Sequence, residues 1–221
     1  LLIIIKKFII STFYSVIRDD FLLWRILMHI KYKLFYFFII VLLLPNVLLA
    51  HTGVGHTSGF LHGFFHPFEG VDHLLAMLAV GLWSSQLGGK SSWIVPLAFV
   101  SVLMLGGVIA LLGANLFFVK IGILLSLVIL GVLIATSIQM PLTISVGIVG
   151  AFALFHGHSH GTEMLSAGSS FTYGVGFLTA TVLLHMVGFV IGYSFKKWKS
   201  EMVVRVAGAF VALFGIGLFA F

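Results

Sequence analysis

The chain has 221 residues, of which 61% are hydrophobic and only 8% are charged, and it contains 25 glycines. This composition indicates an integral membrane protein and leaves no stretch polar enough for a separate soluble domain. The formal net charge is +6, but no basic patch suited to nucleic acid is present in the sequence. Because the chain has no cysteine, disulfides and thiolate metal sites are excluded, and any metal ion must be held by nitrogen, oxygen or methionine sulfur.

The N-terminal part divides into two segments. Residues 1–27 carry no motif that assigns them a role, whereas residues 28–50 have the basic start, short apolar run and small final residue of a secretory signal peptide. We expect cleavage after Ala50, although Leu48 stands where such sites have a small residue, and the alternative is an uncleaved anchor helix. Cleavage would leave His51 at the N-terminus, where its free amine and imidazole could chelate a divalent metal ion together.

Six apolar segments follow the glycine-punctuated residues 51–69, and they predict one membrane domain over residues 51–221. Each segment should be a helix, because a single segment in lipid satisfies its backbone hydrogen bonds in no other way, and a closed barrel would alternate apolar and polar residues. The predicted fold class is therefore all-α, a bundle of six transmembrane helices after a cleaved signal peptide. The six spans are residues 70–87, 93–113, 117–136, 141–158, 170–195 and 202–221.

Small residues spaced four apart within the spans predict close contacts between helix backbones. A plain compact bundle would account for them without any function. The pairs are Gly147 with Ala151, Gly188 with Gly192, and Gly208 with Ala212.

The basic residues predict the orientation of the bundle. A signal peptide would deliver the mature N-terminus to the outer side, so that Lys90 and the run from Lys196 to Lys199 both lie inside, as the positive-inside tendency prefers. Lys120 is the exception. Both mature termini would then lie outside, and the outer ends of spans one and four would share one face of the membrane.

Histidines and acids run directly into the first span. His62 and His66 precede it, Asp72 and His73 begin it, and Pro67 fits the first turn of a helix, where its missing N–H costs nothing. His62 could equally be a solvated loop residue. Burying Asp72 and His73 in a membrane helix without a purpose is costly, which favours a metal-binding role over a simple helix cap.

A second cluster ends the fourth span. If the helix continues through it, His156, His160 and Glu163 are related by i, i+4 and i+7 and share a face, while His158 points elsewhere. His185 lies near the middle of span five, where an ionisable side chain is a functional candidate by default, although a structural hydrogen bond would also explain it.

These side chains favour a transition-metal ion such as nickel, cobalt or zinc. Imidazole suits these ions and carboxylate offsets their charge, whereas calcium or magnesium would demand more oxygen ligands than two or three acids supply. Met77 and Met164 could add thioether ligands, but methionine mostly fills core space.

The same residues fit functions of different classes. In an intramembrane zinc hydrolase, a carboxylate would act as general base on metal-bound water, and a lipid-accessible cleft would reach the metal. A permease needs instead a polar route that continues past the metal, and an extracytoplasmic sensor or buffer would bind metal without flux.

Both clusters resemble signatures of one known family. Residues 66–83, from His-Pro-Phe-Glu-Gly-Val-Asp-His to Gly-Leu-Trp, resemble the first-helix signature of the HupE/UreJ family of nickel and cobalt permeases, and residues 155–163, Phe-His-Gly-His-Ser-His-Gly-Thr-Glu, resemble its second signature. The resemblance covers residues 28–221. Five residues separate His66 from Asp72, whereas a separate eight-helix family of nickel/cobalt transporters has four residues before its Asp-His pair.

The resemblance implies a bacterial inner-membrane protein, not an enzyme, that moves Ni²⁺ or Co²⁺ into the cytoplasm and has its mature N-terminus in the periplasm. It implies no prosthetic group. The partners would be the transported ion, with Zn²⁺ as a further candidate, and the lipid bilayer, and a homo-oligomer is left open. Matched by position, the metal-handling residues are His66, Asp72, His73, His156, His160 and Glu163. We add His51 and His62, because the family often begins its mature chain with histidine, and His185, which lies further along the predicted path.

Overall fold

The computed structural model describes residues 59–164 and 170–220, which form seven α-helices and contain no strand. The all-α membrane fold is confirmed for this part of the chain, because five of these helices are long and apolar enough to cross a membrane. The predicted signal peptide, the extension before it and His51 lie outside the described residues. The helices are α1 (Phe60–Glu69), α2 (Val71–Leu87), α3 (Ser91–Leu111), α4 (Val119–Thr136), α5 (Leu142–Met164), α6 (Ser170–Lys197) and α7 (Glu201–Phe219).

The first predicted span, α2, differs from the five spanning helices in length and burial. It has 17 residues, which corresponds to about 25 Å, slightly less than the roughly 30 Å of a bilayer core. Residues 75–85 are all buried, so other helices surround α2 on every side. It packs against α3, α4 and α6 and is the central helix of the bundle. A count of six spanning helices stays a prediction.

The segment before the first span contains a helix that the sequence pattern did not predict. This helix, α1, ends at Glu69, and Gly70 follows with an extended backbone (φ −104°, ψ 114°) that separates it from α2. Pro67 lies near the end of α1, so the expectation that it occupies the first turn of span one is wrong. Packing against α6 holds α1 beside the bundle.

At two of the three predicted pairs, a glycine allows the backbones of two helices to lie in close contact. A Cβ at Gly188 would collide with the carbonyl oxygen of Leu78, and one at Gly208 would lie 2.6 Å from the backbone nitrogen of Ala135. The prediction for Gly147 is wrong, because an added Cβ there would meet nothing within 4 Å. Helix α6 therefore lies close against α2, and α7 lies close against α4.

The two ends of the bundle differ in chemistry. At one end, the turn after α2 approaches the basic end of α6, since a Cβ at Gly88 would lie 3.9 Å from Lys196 Nζ. At the other end, the start of α2 meets the last turns of α5, where the ring centroids of His73 and His160 are 4.4 Å apart. The length of α2 separates His73 and His160 from Lys196, whereas Lys120 begins α4 next to the turn that His158 contacts.

Candidate metal centre

Three histidines from two helices meet at the start of α2. His73 lies in the first turn of α2, and His156 and His160 lie one turn apart on α5, which continues as a helix to Met164. One ring nitrogen of each histidine lies within 4.8 Å of the others. His156 and His160 are 0% and 1% exposed. We call His73, His156 and His160 the deep set.

Two rings of the deep set are oriented by carboxylates. His73 Nδ1 lies 2.8 Å from Asp72 Oδ1, and His160 Nδ1 lies 3.3 Å from Glu163 Oε2. Because an ionised carboxylate only accepts hydrogen bonds, both rings donate Nδ1–H and keep their lone pair on Nε2. Pairing of histidine with carboxylate is the arrangement that orients imidazoles in metal sites. Asp72 therefore acts on the ring of His73 from outside the deep set.

Ser126 on α4 orients the third ring. Its hydroxyl donates to the carbonyl oxygen of Ile123 at 2.6 Å, so its Oγ accepts the hydrogen bond from His156 Nε2 at 3.0 Å. His156 then keeps its lone pair on Nδ1. Ser126 was not among the residues predicted for the site, although a hydroxyl within an apolar span was an available signal.

The remaining ring nitrogens of the deep set are buried and have no hydrogen-bond partner among the described residues. They are His73 Nε2, His156 Nδ1 and His160 Nε2. Each buried polar atom without a partner costs about 1–3 kcal/mol, so three of them together indicate a site made for a ligand. Three imidazole lone pairs within reach of one ion suit nickel, cobalt or zinc.

A second candidate set overlaps the first and includes α1. His66, His160 and Glu163 offer ligand atoms within 4.8 Å of one another, and we call them the outer set. Glu163 Oε2 lies 2.7 Å from His66 Nε2, and Glu69 Oε2 lies 3.3 Å from His66 Nδ1. The side chains of His66 and Glu163 are 20% and 47% exposed, so this set is more accessible than the deep set.

The neighbouring carboxylates raise the pKa of His66. Burial by itself lowers the pKa of this imidazole, but the hydrogen bond and charge of Glu163, assisted by Glu69, outweigh burial and hold the pKa above its ordinary value of 6.5. A proton and a metal ion therefore compete for His66, because a metal ion binds only the neutral ring.

The other predicted site histidines lie outside both sets. His62 is exposed on α1, with its ring centroid 5.3 Å from that of Tyr173. His185 is buried in α6 with its ring 5.1 Å from that of Phe99, and neither of its ring nitrogens has a hydrogen-bond partner in the part of the chain that the structure describes.

His158 takes part in a contact between helices. Its Nε2 lies 2.8 Å from the carbonyl oxygen of Ala114 and 3.2 Å from the backbone nitrogen of Leu116, in the turn between α3 and α4. This contact ties α5 to that turn. His158 is therefore a buried histidine on the same helix as the deep set but with a different neighbourhood.

An apolar cavity of about 440 Å³ lies between α3, α5 and α6 and reaches His160. Met164 lines it, whereas Met77 is fully buried within α2. Two further lining residues, Met104 and Val108, are about half exposed on the outside of the bundle. The cavity therefore opens toward the surface that would face lipid.

Comparison with known protein families matches residues 39–218 to the family described as HupE / UreJ protein. The chain belongs to the HupE/UreJ family. It is 46% identical over 179 residues to Protein HupE of Rhizobium leguminosarum bv. viciae, a match that covers 80% of this chain and 92% of the relative. No solved structure matches the chain.

Family membership confirms the resemblance seen in the two signature motifs. Together with the apolar helices, it identifies this HupE/UreJ family member as a multi-pass membrane protein and supports metal transport in general. Both motifs contribute side chains to the two ligand sets. The first motif supplies His66 and His73, and the second supplies His156, His160 and Glu163.

Proposed function

We propose that this HupE/UreJ family member carries a nickel or cobalt ion across the bacterial inner membrane into the cytoplasm. The main support is the convergence of three buried imidazole nitrogens whose lone pairs are oriented by partners on the other side of each ring. Nitrogen ligands favour a transition-metal ion over calcium or magnesium, and the ion is the transported substrate. Zn²⁺ fits the same donors.

The charges at the two ends of the bundle support one orientation in the membrane, with Lys120 as the exception, and the inward direction of transport is the one that the family resemblance implies. Lys90 follows α2, and Lys196 and Lys197 end α6, all at the end away from the deep set. The positive-inside tendency assigns this end to the cytoplasm. The histidines then belong near the periplasmic face, with six membrane-spanning helices when α2 is included and with a periplasmic mature N-terminus.

The path of the ion passes through residues of increasing burial. His62, together with His51 at the mature N-terminus, would gather ions outside. The outer set would exchange water for imidazole and carboxylate, and the deep set would remove further water. His185 lies deeper, in α6, with two ring nitrogens that have no hydrogen-bond partner among the described residues, and it would take the ion next. Each of these binding sites must hold the ion strongly enough to select it and weakly enough to release it.

Uptake into proteoliposomes tests this proposal. The purified chain is reconstituted, and accumulation of Ni²⁺, Co²⁺ and Zn²⁺ is measured for the natural protein and for the double variant Asp72→Asn/His73→Ala. We expect the double variant to lose at least tenfold in uptake, because it removes one ligand of the deep set and the charge beside it. His158→Gln serves as the control on α5 and should retain uptake. Equal uptake by the double variant would refute the proposal.

The apolar cavity supports one competing function, an intramembrane zinc hydrolase. A lipid-like substrate could reach His160 through that cavity, and Glu163 would act as the general base. One observation disfavours the hydrolase: Glu163 Oε2 lies within hydrogen-bonding distance of His66 and His160, so the oxygen that a general base would use already has two partners. A hydrolase would bind zinc without accumulating any ion inside the vesicles, so the same uptake experiment separates the two functions.

A further inference from the structure

His160 belongs to both ligand sets and offers each of them a different nitrogen. Its Nδ1 lies 3.3 Å from Glu163 Oε2, and its Nε2 is buried without a hydrogen-bond partner among the described residues. We infer that Nε2 is the nitrogen it offers to His73 and His156, with which it forms the deep set. The ring is 1% exposed and its centroid lies 4.1 Å from that of Phe177. The ring is thus held between the two sets, with one nitrogen facing each.

We propose that the two sets exclude each other and that a single ion is handed across the ring of His160; this inference rests on the proposed transport function. A neutral imidazole has one lone pair and one N–H. An ion on Nδ1 leaves the proton on Nε2, so the deep set lacks its third ligand. An ion on Nε2 leaves the proton on Nδ1, so the outer set lacks His160. The ring carries one proton in both states, on the nitrogen that the ion does not occupy. Moving the ion from Nδ1 to Nε2 therefore requires Nε2 to lose its proton to water and Nδ1 to take one up from water, beside Glu163 Oε2.

Glu163 has a role in each of the two states. With the ion in the outer set, its carboxylate is a ligand. With the ion in the deep set, Oε2 accepts hydrogen bonds from His160 Nδ1 and from His66 Nε2, at 3.3 and 2.7 Å. The carboxylate therefore keeps partners when the ion leaves it. Two divalent ions on opposite sides of one ring would also repel each other, which adds to the exclusion.

Counting bound ions tests this exclusion. The full chain is purified in detergent and dialysed against saturating Co²⁺, and cobalt per protein is measured by elemental analysis, while visible absorption reports the ligand geometry. His66→Ala removes only the outer set, and His156→Ala removes only the deep set. Each variant should bind as many ions as the natural protein and show the spectrum of the set that remains. Because the binding constant of the natural protein is then the sum of the constants of the two sets, at least one of the two variants should keep its affinity within about twofold. The double variant His66→Ala/His156→Ala should bind one ion fewer.

The other outcomes discriminate between the two proposals. If either single variant binds one ion fewer than the natural protein, the remaining set does not take up the ion in place of the lost one, and the handover is refuted, while the transport function stands. If the double variant binds as many ions as the natural protein, neither set holds the ion. This result would refute both the proposed metal site and the handover. Should His156→Ala fail to fold, His73→Ala removes the same set: as many ions as in the natural protein supports the exclusion, and one ion fewer refutes it.

Discussion

Replacing Ser126 by alanine should weaken metal binding without removing any metal ligand. Ser126 is fully buried, and its Oγ accepts a hydrogen bond from His156 Nε2. Among the described residues, Ser126 is the only hydrogen-bond partner of that nitrogen. Without this partner the ring no longer prefers the tautomer with its lone pair on Nδ1. Loss of such a supporting partner lowers metal affinity by about 10- to 100-fold, which corresponds to about 1.4–2.7 kcal/mol of binding free energy. The buried N–H left without an acceptor should also cost about 1–3 kcal/mol of folding free energy.

The assay is a titration of the purified protein with Co²⁺ against a competing chelator, monitored by visible absorption. Ser145→Ala is the matched control, because Ser145 is equally buried but its hydroxyl donates to the carbonyl oxygen of Pro141 instead of supporting a histidine ring. We expect the dissociation constant of Ser126→Ala to rise 10- to 100-fold and that of Ser145→Ala to stay within twofold. A folded Ser126→Ala protein with unchanged affinity would show that the serine does not control the ring of His156.

Three further substitutions test other parts of the structure. Asp72→Asn keeps an acceptor for the neighbouring imidazole but removes its charge, and Co²⁺ affinity should fall about tenfold, whereas Glu201→Gln, at the start of α7, should leave it unchanged. His185→Phe should lower uptake at least tenfold while the Co²⁺ dissociation constant stays within twofold; normal uptake would remove His185 from the path. Gly188→Ala should destabilise the bundle by about 1–3 kcal/mol through overpacking, which would lower its melting temperature in detergent. The control Gly147→Ala should leave the melting temperature unchanged. Equal melting temperatures of the two variants would contradict the close contact between α2 and α6.

The sequence predicted the secondary structure of the membrane part well, for a physical reason. Apolar segments of this length can satisfy their backbone only as helices, and predicted spans one to six correspond to α2 to α7. Boundaries differ by at most two residues, except that α5 continues to Met164, six residues past the predicted end of span four. The helix α1 was missed because its ten residues contain Gly63 and Pro67, which disfavour a helix in isolation. Packing on α6 stabilises it, and short helices depend on such tertiary contacts.

The sequence by itself determined which side chains are available for a metal ion and, through the i, i+4 spacing on α5, that His156 and His160 share a face. It also predicted that the two motifs would lie at the same end of the bundle, from the number of spans between them. Only the tertiary structure decided that His66 approaches Glu163, that Ser126 accepts from His156, and that His160 stands between two ligand sets. The physical reason is that a lone pair has a direction set by the partner of the opposite ring nitrogen. For His156 that partner is Ser126 on another helix, and residue spacing along the chain does not specify it. Asp72 and Glu163 lie on the same helices as the rings of His73 and His160, and the structure decided only that they contact those rings.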